Sequence, residues 1–225
     1  MRAFVTGAAG AIGSAIAREL EARGMIVTAA DIAPGDYLRL DLSKPAQLPD
    51  IETDVLVNCA GIMDMHALDK TDWARAQMLL DVDLISPLKL MHSAVKNGAR
   101  AIINVTSMAG VTPLRGCTFY GAAKAGLAMA SEVARLELRP RGVKVITVYP
   151  GPVSSPLEAR ARGHLKPSLI SRLMPTGNAT ELAALVGRAY DRDDPRVVYP
   201  PLYAIGHRLP RLAGWVTSQF SPSPI

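Results

Sequence analysis

Tyr120 and Lys124 stand four residues apart in Tyr120-Gly121-Ala122-Ala123-Lys124. On a helix that spacing places both side chains on one face, one turn apart. An ammonium fixed beside a phenol favours the phenolate and lowers its pKa from about 10. The pair therefore predicts a group that gives and takes a proton near neutral pH. Ser107 lies thirteen residues earlier. Its hydroxyl, arriving from another element, can bind the same substrate oxygen. Many helices carry Tyr-x-x-x-Lys by chance, so its weight comes from the elements around it.

Those elements alternate between short apolar runs and helical stretches. Strands are expected at Phe4-Val5, at 25–30 ending on Asp31, at 37–40 ending on Asp41, at 54–58, at 101–105, at 143–148 and, as an edge strand, at 196–200. A helix is expected over 11–23, stopping at Gly24, and another from Thr180. Continuous apolar strands separated by helices predict a parallel sheet covered on both faces. Only Ile32 to Asp36 separate the second strand from the third, too few for a crossover helix. The chain's 225 residues fit one domain, 1–225, with an aliphatic core, since aromatics make up 5%.

Thr6-Gly7-Ala8-Ala9-Gly10-Ala11-Ile12-Gly13 follows the first strand and opens the first helix. Glycines there let the backbone approach a pyrophosphate, and the helix N-terminus points free N–H groups at the anion. Asp31, 18 residues after Gly13, can bind an adenosine ribose 2′-hydroxyl and would repel a 2′-phosphate. No Arg or Lys lies in the turn or directly after Asp31. NAD(H) is therefore expected over NADP(H). Asp41 and Leu42, closing the third strand, either approach the adenine amino group or cap the turn at Ser43-Lys44-Pro45.

The ordered set resembles the short-chain dehydrogenase/reductase family, in its short single-domain form. The match is carried by the Thr6–Gly13 turn, Asn58-Cys59-Ala60-Gly61, Ser107 after Asn104-Val105-Thr106, Tyr120 with Lys124, and Pro150-Gly151. The resemblance implies a Rossmann-type doubly wound parallel sheet of about seven strands with helices on both faces. It also implies hydride transfer between a nicotinamide cofactor and an alcohol or carbonyl. Tyr120 would be the general acid/base, Lys124 its modulator and ribose ligand, and Ser107 the group that polarises the substrate oxygen. Asn58, Ala60 and Gly61 would line the cofactor. Pro150, Gly151 and Val153 would border the nicotinamide, with the Val153 amide on its carboxamide, and Ser155 would stand where many members carry threonine.

Three departures accompany the match. Ala11 replaces a glycine, giving a spacing nearer the epimerase-like branch. Asp83 stands where many members place an asparagine as fourth member of the site, and a buried carboxylate there needs a donor. The crossover helix after the second strand is missing, which leaves the adenine side more exposed.

In the family, the segment after the sixth strand carries the substrate lid. Residues 154–180 are read as that lid, with Arg160, Arg162, His164, Lys166 and Arg172 among leucines and Met174. A lid for a hydrophobic substrate with an acidic head and a helical hairpin with a wet face both suit this pattern. Residues 202–225 read as a packing segment and tail whose Trp215, Phe220, His207, Arg208 and Arg211 suit a subunit contact, core packing or a membrane surface.

The net charge of +5 is uneven, with +4 on residues 156–225 and +1 on the rest. No basic run interleaves with aromatics, so nucleic acid is not expected as a partner. No His/Cys cluster predicts a metal. Cys59 and Cys117 read as free thiols, which together with the lack of a leader or spanning segment predicts the cytoplasm. The family implies a homodimer or homotetramer formed through the fourth and fifth helices. The leading expectation is an NAD-dependent enzyme interconverting a secondary alcohol and a ketone on a hydrophobic small molecule. An NAD(H)-binding regulator and a nucleotide-sugar epimerase or dehydratase are its alternatives.

Overall fold

A computed structural model describes residues 1–155, 159 and 175–220. The apolar runs form seven strands: β1 (Arg2–Thr6), β2 (Ile26–Asp31), β3 (Leu38–Arg39), β4 (Val55–Asn58), β5 (Ala101–Val105), β6 (Lys144–Pro150) and β7 (Arg196–Tyr199). They pair in parallel in the order β3-β2-β1-β4-β5-β6-β7. The described helices are α1 (Ala11–Glu21), α2 (Trp73–Leu80), α3 (Ser86–Lys96), α4 (Thr118–Leu138), α5 (Ala179–Arg192), α6 (Tyr203–Arg208) and α7 (Pro210–Phe220).

Alternation along each strand sorts the core into two layers. Val5, Val57, Ile103 and Ile146 pack with Ile16 and Leu20 of α1 and Leu182 and Val186 of α5. Phe4, Leu56, Ile102 and Val145 pack with Leu90 of α3 and Leu127 of α4. Every residue of β4 and β5 is buried. Strands covered on both faces read as the unbroken apolar runs seen in the sequence. Chain order reverses at β1, between β2 and β4, and that reversal opens a crevice at the strands' C-terminal ends.

Several boundaries differ from expectation. The third strand is two residues long, because only Ala30 and Asp31 offer it a partner. The first helix closes at Glu21, and the chain turns out through Gly24 at φ +76°, a left-handed conformation that glycine adopts without strain. The 32–37 link contains no helix and is largely exposed. Residues 203–220 form two helices that break at Leu209 before Pro210. Of the expected lid, residues 156–158 and 160–174 lie outside the described residues, and so do Arg160, Arg162, His164, Lys166, Arg172 and the tail after Phe220. No described helix is long and apolar enough to cross a membrane.

Candidate active site

At the end of β1, Gly7 takes φ +69°, and a Cβ on it would meet Ala60 Cα and N at 2.6 Å. A Cβ on Gly13 would lie 2.1 Å from the Gly7 carbonyl oxygen, so α1 starts hard against the turn. Gly10 is the N-cap of α1 and offers no side chain to its first N–H groups. The turn therefore presents the free donors of Ala11, Ile12 and Gly13 at the positive end of a helix, the setting that binds a phosphate. Asp31 closes β2 beside it. Its Oδ2 accepts the Ala9 N–H at 2.9 Å and its Oδ1 the Ala33 N–H at 2.9 Å. Each oxygen keeps a second lone pair for a hydroxyl, so the carboxylate both shapes the turn and can read a ribose. These residues fit a dinucleotide.

Thr6 joins the turn to the segment after β4. Its hydroxyl donates to Val57 O at 3.3 Å and accepts the N–H groups of Cys59 and Ala60 at 3.1 and 3.2 Å. Asn58 behaves differently from the expected cofactor contact. Its Nδ2 donates to Asn104 Oδ1 at 2.9 Å, and Asn104 donates on to Ser131 Oγ at 2.8 Å. Its side chain is buried in a polar chain from β4 through β5 to α4. An asparagine inside the apolar run Ala101-Ile102-Ile103-Asn104-Val105 was the available sequence signal for that chain, since a buried amide must find partners.

Tyr120 and Lys124 lie on one face of α4, both buried, with the Lys124 ammonium 5.7 Å from the Tyr120 ring centre. Ser107 ends the segment after β5. Its Oγ accepts the Ala109 N–H at 3.1 Å, which leaves the hydroxyl proton free to donate elsewhere. Asp83 sits in a π-helical turn, Asp81–Ile85, between α2 and α3, and is fully buried. Its Oδ1 accepts the Ile62 N–H at 2.8 Å, and its Oδ2 lies 3.0 Å from Lys124 Nζ. One oxygen of the buried carboxylate thus has a donor, and the other faces the ammonium. The Oδ2 contact is an ion pair and not a well-directed hydrogen bond, as that oxygen makes none by direction. A Cβ on Gly61 would meet Asp83 Oδ2 at 3.1 Å and Lys124 Nζ at 3.2 Å, so glycine at 61 lets the pair close.

This pairing corrects one expectation. Tyr120 does not have a lowered pKa. Burial pushes its phenol up, the Lys124 charge and a Ser107 hydrogen bond pull it down, and Asp83 pushes it up again. Lys124 itself is raised: burial works against its charge, but Asp83, Tyr120 and Cys59 together outweigh burial. Burial raises Asp83 against the opposing pull of Lys124 and Ile62. Burial is thus the chief reason the phenol is raised, and Asp83 offsets part of the pull of Lys124.

Asp41 takes the second of its two expected roles. Its Oδ1 accepts the Ser43 N–H at 3.0 Å and the Ser43 hydroxyl at 2.6 Å, and its Oδ2 pairs with Lys44 at 3.4 Å. The Ser43 hydroxyl, chiefly, holds the carboxyl below its usual range. Leu42 is core, and its carbonyl accepts the Ser86 hydroxyl at 2.6 Å. At the other end of the site, Gly151 follows β6, where a Cβ would meet the Tyr203 ring at 2.8 Å. Val153 forms a parallel bridge with Gly177. The bridge uses the N–H groups of Ser154 and Gly177, which turns the N–H of Val153 to the opposite side. Ser155 is half-buried beside it, and its carbonyl accepts the Ala159 N–H at 3.0 Å.

The short chain dehydrogenase family model matches residues 46–166. Nodulation protein G of Rhizobium sp. (strain N33) is 32% identical over 216 residues, covering 82% of this chain and 87% of that protein. A short-chain dehydrogenase of Aspergillus ruber is 34% identical over 178 residues, 68% of this chain and 62% of the other. Among solved structures, a short-chain dehydrogenase from Sphingobium yanoikuyae in complex with NADPH superposes with a TM-score of 0.77 at 23% identity, covering 97% of this chain and 94% of that one. A 4-hydroxyisoleucine dehydrogenase complexed with NADH gives 0.74 at 18% identity, covering 88% and 96%. The chain belongs to the short-chain dehydrogenase family, whose members are NAD(P)-dependent oxidoreductases acting on CH–OH groups.

Proposed function

We propose that the protein interconverts a secondary alcohol and a ketone on a hydrophobic small molecule, with NAD(H) as cofactor. The observation that carries this is the grouping of half-buried Ser107 with buried Tyr120, Lys124 and Asp83 on the same C-terminal side of the sheet as the uncapped glycine turn. In reduction, the Tyr120 hydroxyl donates its proton to the carbonyl oxygen while the Ser107 hydroxyl donates a hydrogen bond to it. In oxidation, the phenolate takes the proton of the alcohol. The nicotinamide, when bound, supplies or accepts the hydride. Lys124 has three donors and would keep one for the nicotinamide ribose beyond its pairing with Asp83. Thr6, Gly7, Gly10, Ala11, Ile12 and Gly13 would hold the pyrophosphate. Ala60 and Gly61 would line the cofactor, and the Val153 N–H would take the carboxamide, bordered by Pro150, Gly151 and Ser155.

Asp31 supports NAD(H) over NADP(H), because its carboxylate accepts hydroxyls and repels a phosphate; Arg39 stands beside it as its register partner on β3. The protein is further read as a homo-oligomer, on the exposed Met129, Val133 and Leu136 that repeat along α4. It is placed in the cytoplasm on its two unpaired cysteines. Their thiols are pushed by burial to about 12 at Cys59 and about 11 at Cys117, so neither is a reactive thiolate.

Replacing Tyr120 by Phe tests the reading. We expect kcat to fall by about 10²- to 10⁴-fold while NADH affinity, followed by fluorescence titration, stays within twofold or so of wild type. Turnover that survives Tyr120→Phe removes the tyrosine mechanism. Tight NADH binding without turnover across hydrophobic alcohols and ketones moves the assignment to a regulator.

A further inference from the structure

Helices α6 and α7 and their flanks carry a row of large apolar side chains on their outer face. Leu202, Ile205, Leu209, Leu212 and Trp215 follow one another at intervals of three or four, and each is between 52% and 60% exposed. Facing inward are Tyr203, packed against Tyr149 and Met108, His207, whose ring lies 4.5 Å from that of Tyr149, and small residues. A Cβ on Gly206 would touch Ala213 and Met108, and one on Gly214 would touch Pro113. A row of large apolar groups left facing outward departs from the usual polar outer face of an amphipathic helix. Arg208 and Arg211 are exposed beside this seam. The sequence contains no Asp or Glu after Asp194. A continuous apolar seam of this kind marks an interaction site.

We propose that this face docks on the surface of a membrane containing anionic lipid. Charge selects the occupant. In a symmetric pair built on this face, each residue would meet its own patch on the other copy, bringing Arg208 and Arg211 against their equivalents with no acid in the segment to separate them. An anionic headgroup layer accepts both guanidinium groups, and Trp and Leu suit the boundary below it. Helix α7 has 11 residues and would lie in the interface plane. The face also adjoins the site: the helices rest on the segment that follows Ser107, where the Arg115 guanidinium donates to Ser218 O at 3.0 Å. Docking would bring the substrate entrance close to the lipid. The inference stands on exposure and charge and does not depend on the reaction proposed above.

The test is sedimentation of the full chain with phosphatidylcholine vesicles, with and without phosphatidylserine as a minor component. The wild-type protein is expected to sediment with the anionic vesicles and far less with the neutral ones. Substituting Arg208→Gln and Arg211→Gln together should lower partitioning roughly thirtyfold, at about fivefold per cation. Leu212→Ser with Trp215→Ser should lower it at least about tenfold. Leu68→Ser, at an exposed position before α2, should leave it unchanged. All these side chains are exposed, so thermal unfolding should be unaltered, which separates lost docking from lost folding. No sedimentation of the wild type with anionic vesicles overturns the proposal. It is equally overturned if the Leu212/Trp215 substitutions change the mass of the oligomer in solution and not vesicle partitioning, since the face is then a subunit contact.

Discussion

Asp83 is the residue that most changes how the site works. Amide and carboxylate have almost the same shape, so either can accept the Ile62 N–H. Only the carboxylate places a negative charge 3.0 Å from Lys124. Burial and Asp83 raise the Tyr120 phenol and Lys124 lowers it. The groups facing this cluster are Ser107, Cys59 and Cys117, and both cysteines stay protonated through the working range. The sign of the pH dependence follows. In the proposed mechanism alcohol oxidation needs the Tyr120 phenolate, so its rate should climb with pH into the alkaline range. Carbonyl reduction needs the phenol, so it should stay level through neutral pH and decline only where oxidation rises. Asp83→Asn removes the charge while keeping the acceptor for Ile62, and should move the rising limb of oxidation to lower pH. Paired pH profiles of kcat in both directions measure this. An unmoved limb would mean that Asp83 does not reach the phenol. Asp83→Ala should instead cost about 3–5 kcal/mol of stability, read by urea unfolding, because Lys124 is left buried and unpaired.

At the scale of elements, α4 has to be held in register against β6 and β7 for Tyr120 to meet Ser107. One polar cluster ties them. Arg135 of α4 donates to Val145 O at 2.8 Å, Thr147 Oγ1 at 2.8 Å and Pro195 O at 3.0 Å. Glu132 accepts from Arg135 and, through Oε1 at 2.9 Å, from Arg196 of β7. Burial pushes the Glu132 carboxyl up, but Arg196 and Arg135 together hold it below its usual value. A depressed carboxyl stabilises the fold above its unfolded pKa and loses that contribution as pH falls through its folded one. Glu132→Gln should therefore lower stability by about 1–3 kcal/mol at neutral pH, with the difference from wild type closing below about pH 4. Chemical unfolding at several pH values checks it, and a gap that persists in acid would place the effect in packing. None of this cluster was legible in the sequence, since Glu132, Arg135 and Arg196 read only as charges on a helix and an edge strand. The strands were legible, because burial on both faces leaves unbroken apolar runs. So was the Gly7–Gly13 turn, because its backbone demands glycine. The state of Tyr120 was not, because a spacing of four shows that Lys124 is near but not that the phenol is buried, nor that Asp83, 41 residues before Lys124 in the sequence, opposes the ammonium's pull.

The sheet as a whole decides where a cofactor can lie. With β1 between β2 and β4, the crevice has the Gly7–Gly13 turn at its floor, Asp31 on one flank and Gly61, Lys124 and Tyr120 on the other. The adenine flank is thin, since the 32–37 link has no helix and Asp41 is engaged with Ser43 and Lys44. Recognition on that side therefore rests heavily on Asp31. A ligand that binds only the folded chain raises its stability by an amount set by its concentration over its Kd, about 2.7 kcal/mol at a hundredfold excess over Kd. NADH should accordingly raise the unfolding temperature of the wild-type protein more than NADPH at equal concentration. Asp31→Ala should shrink the NADH shift and enlarge the NADPH shift, because it removes a hydroxyl acceptor and a repelling charge together. The substitution also strips Ala9 and Ala33 of a hydrogen-bond acceptor, so the unliganded protein should melt lower. The informative quantity is the shift each cofactor adds to its own baseline. If both shifts fall in parallel, Asp31 is needed only to shape the glycine turn, and the choice of cofactor lies elsewhere in the crevice.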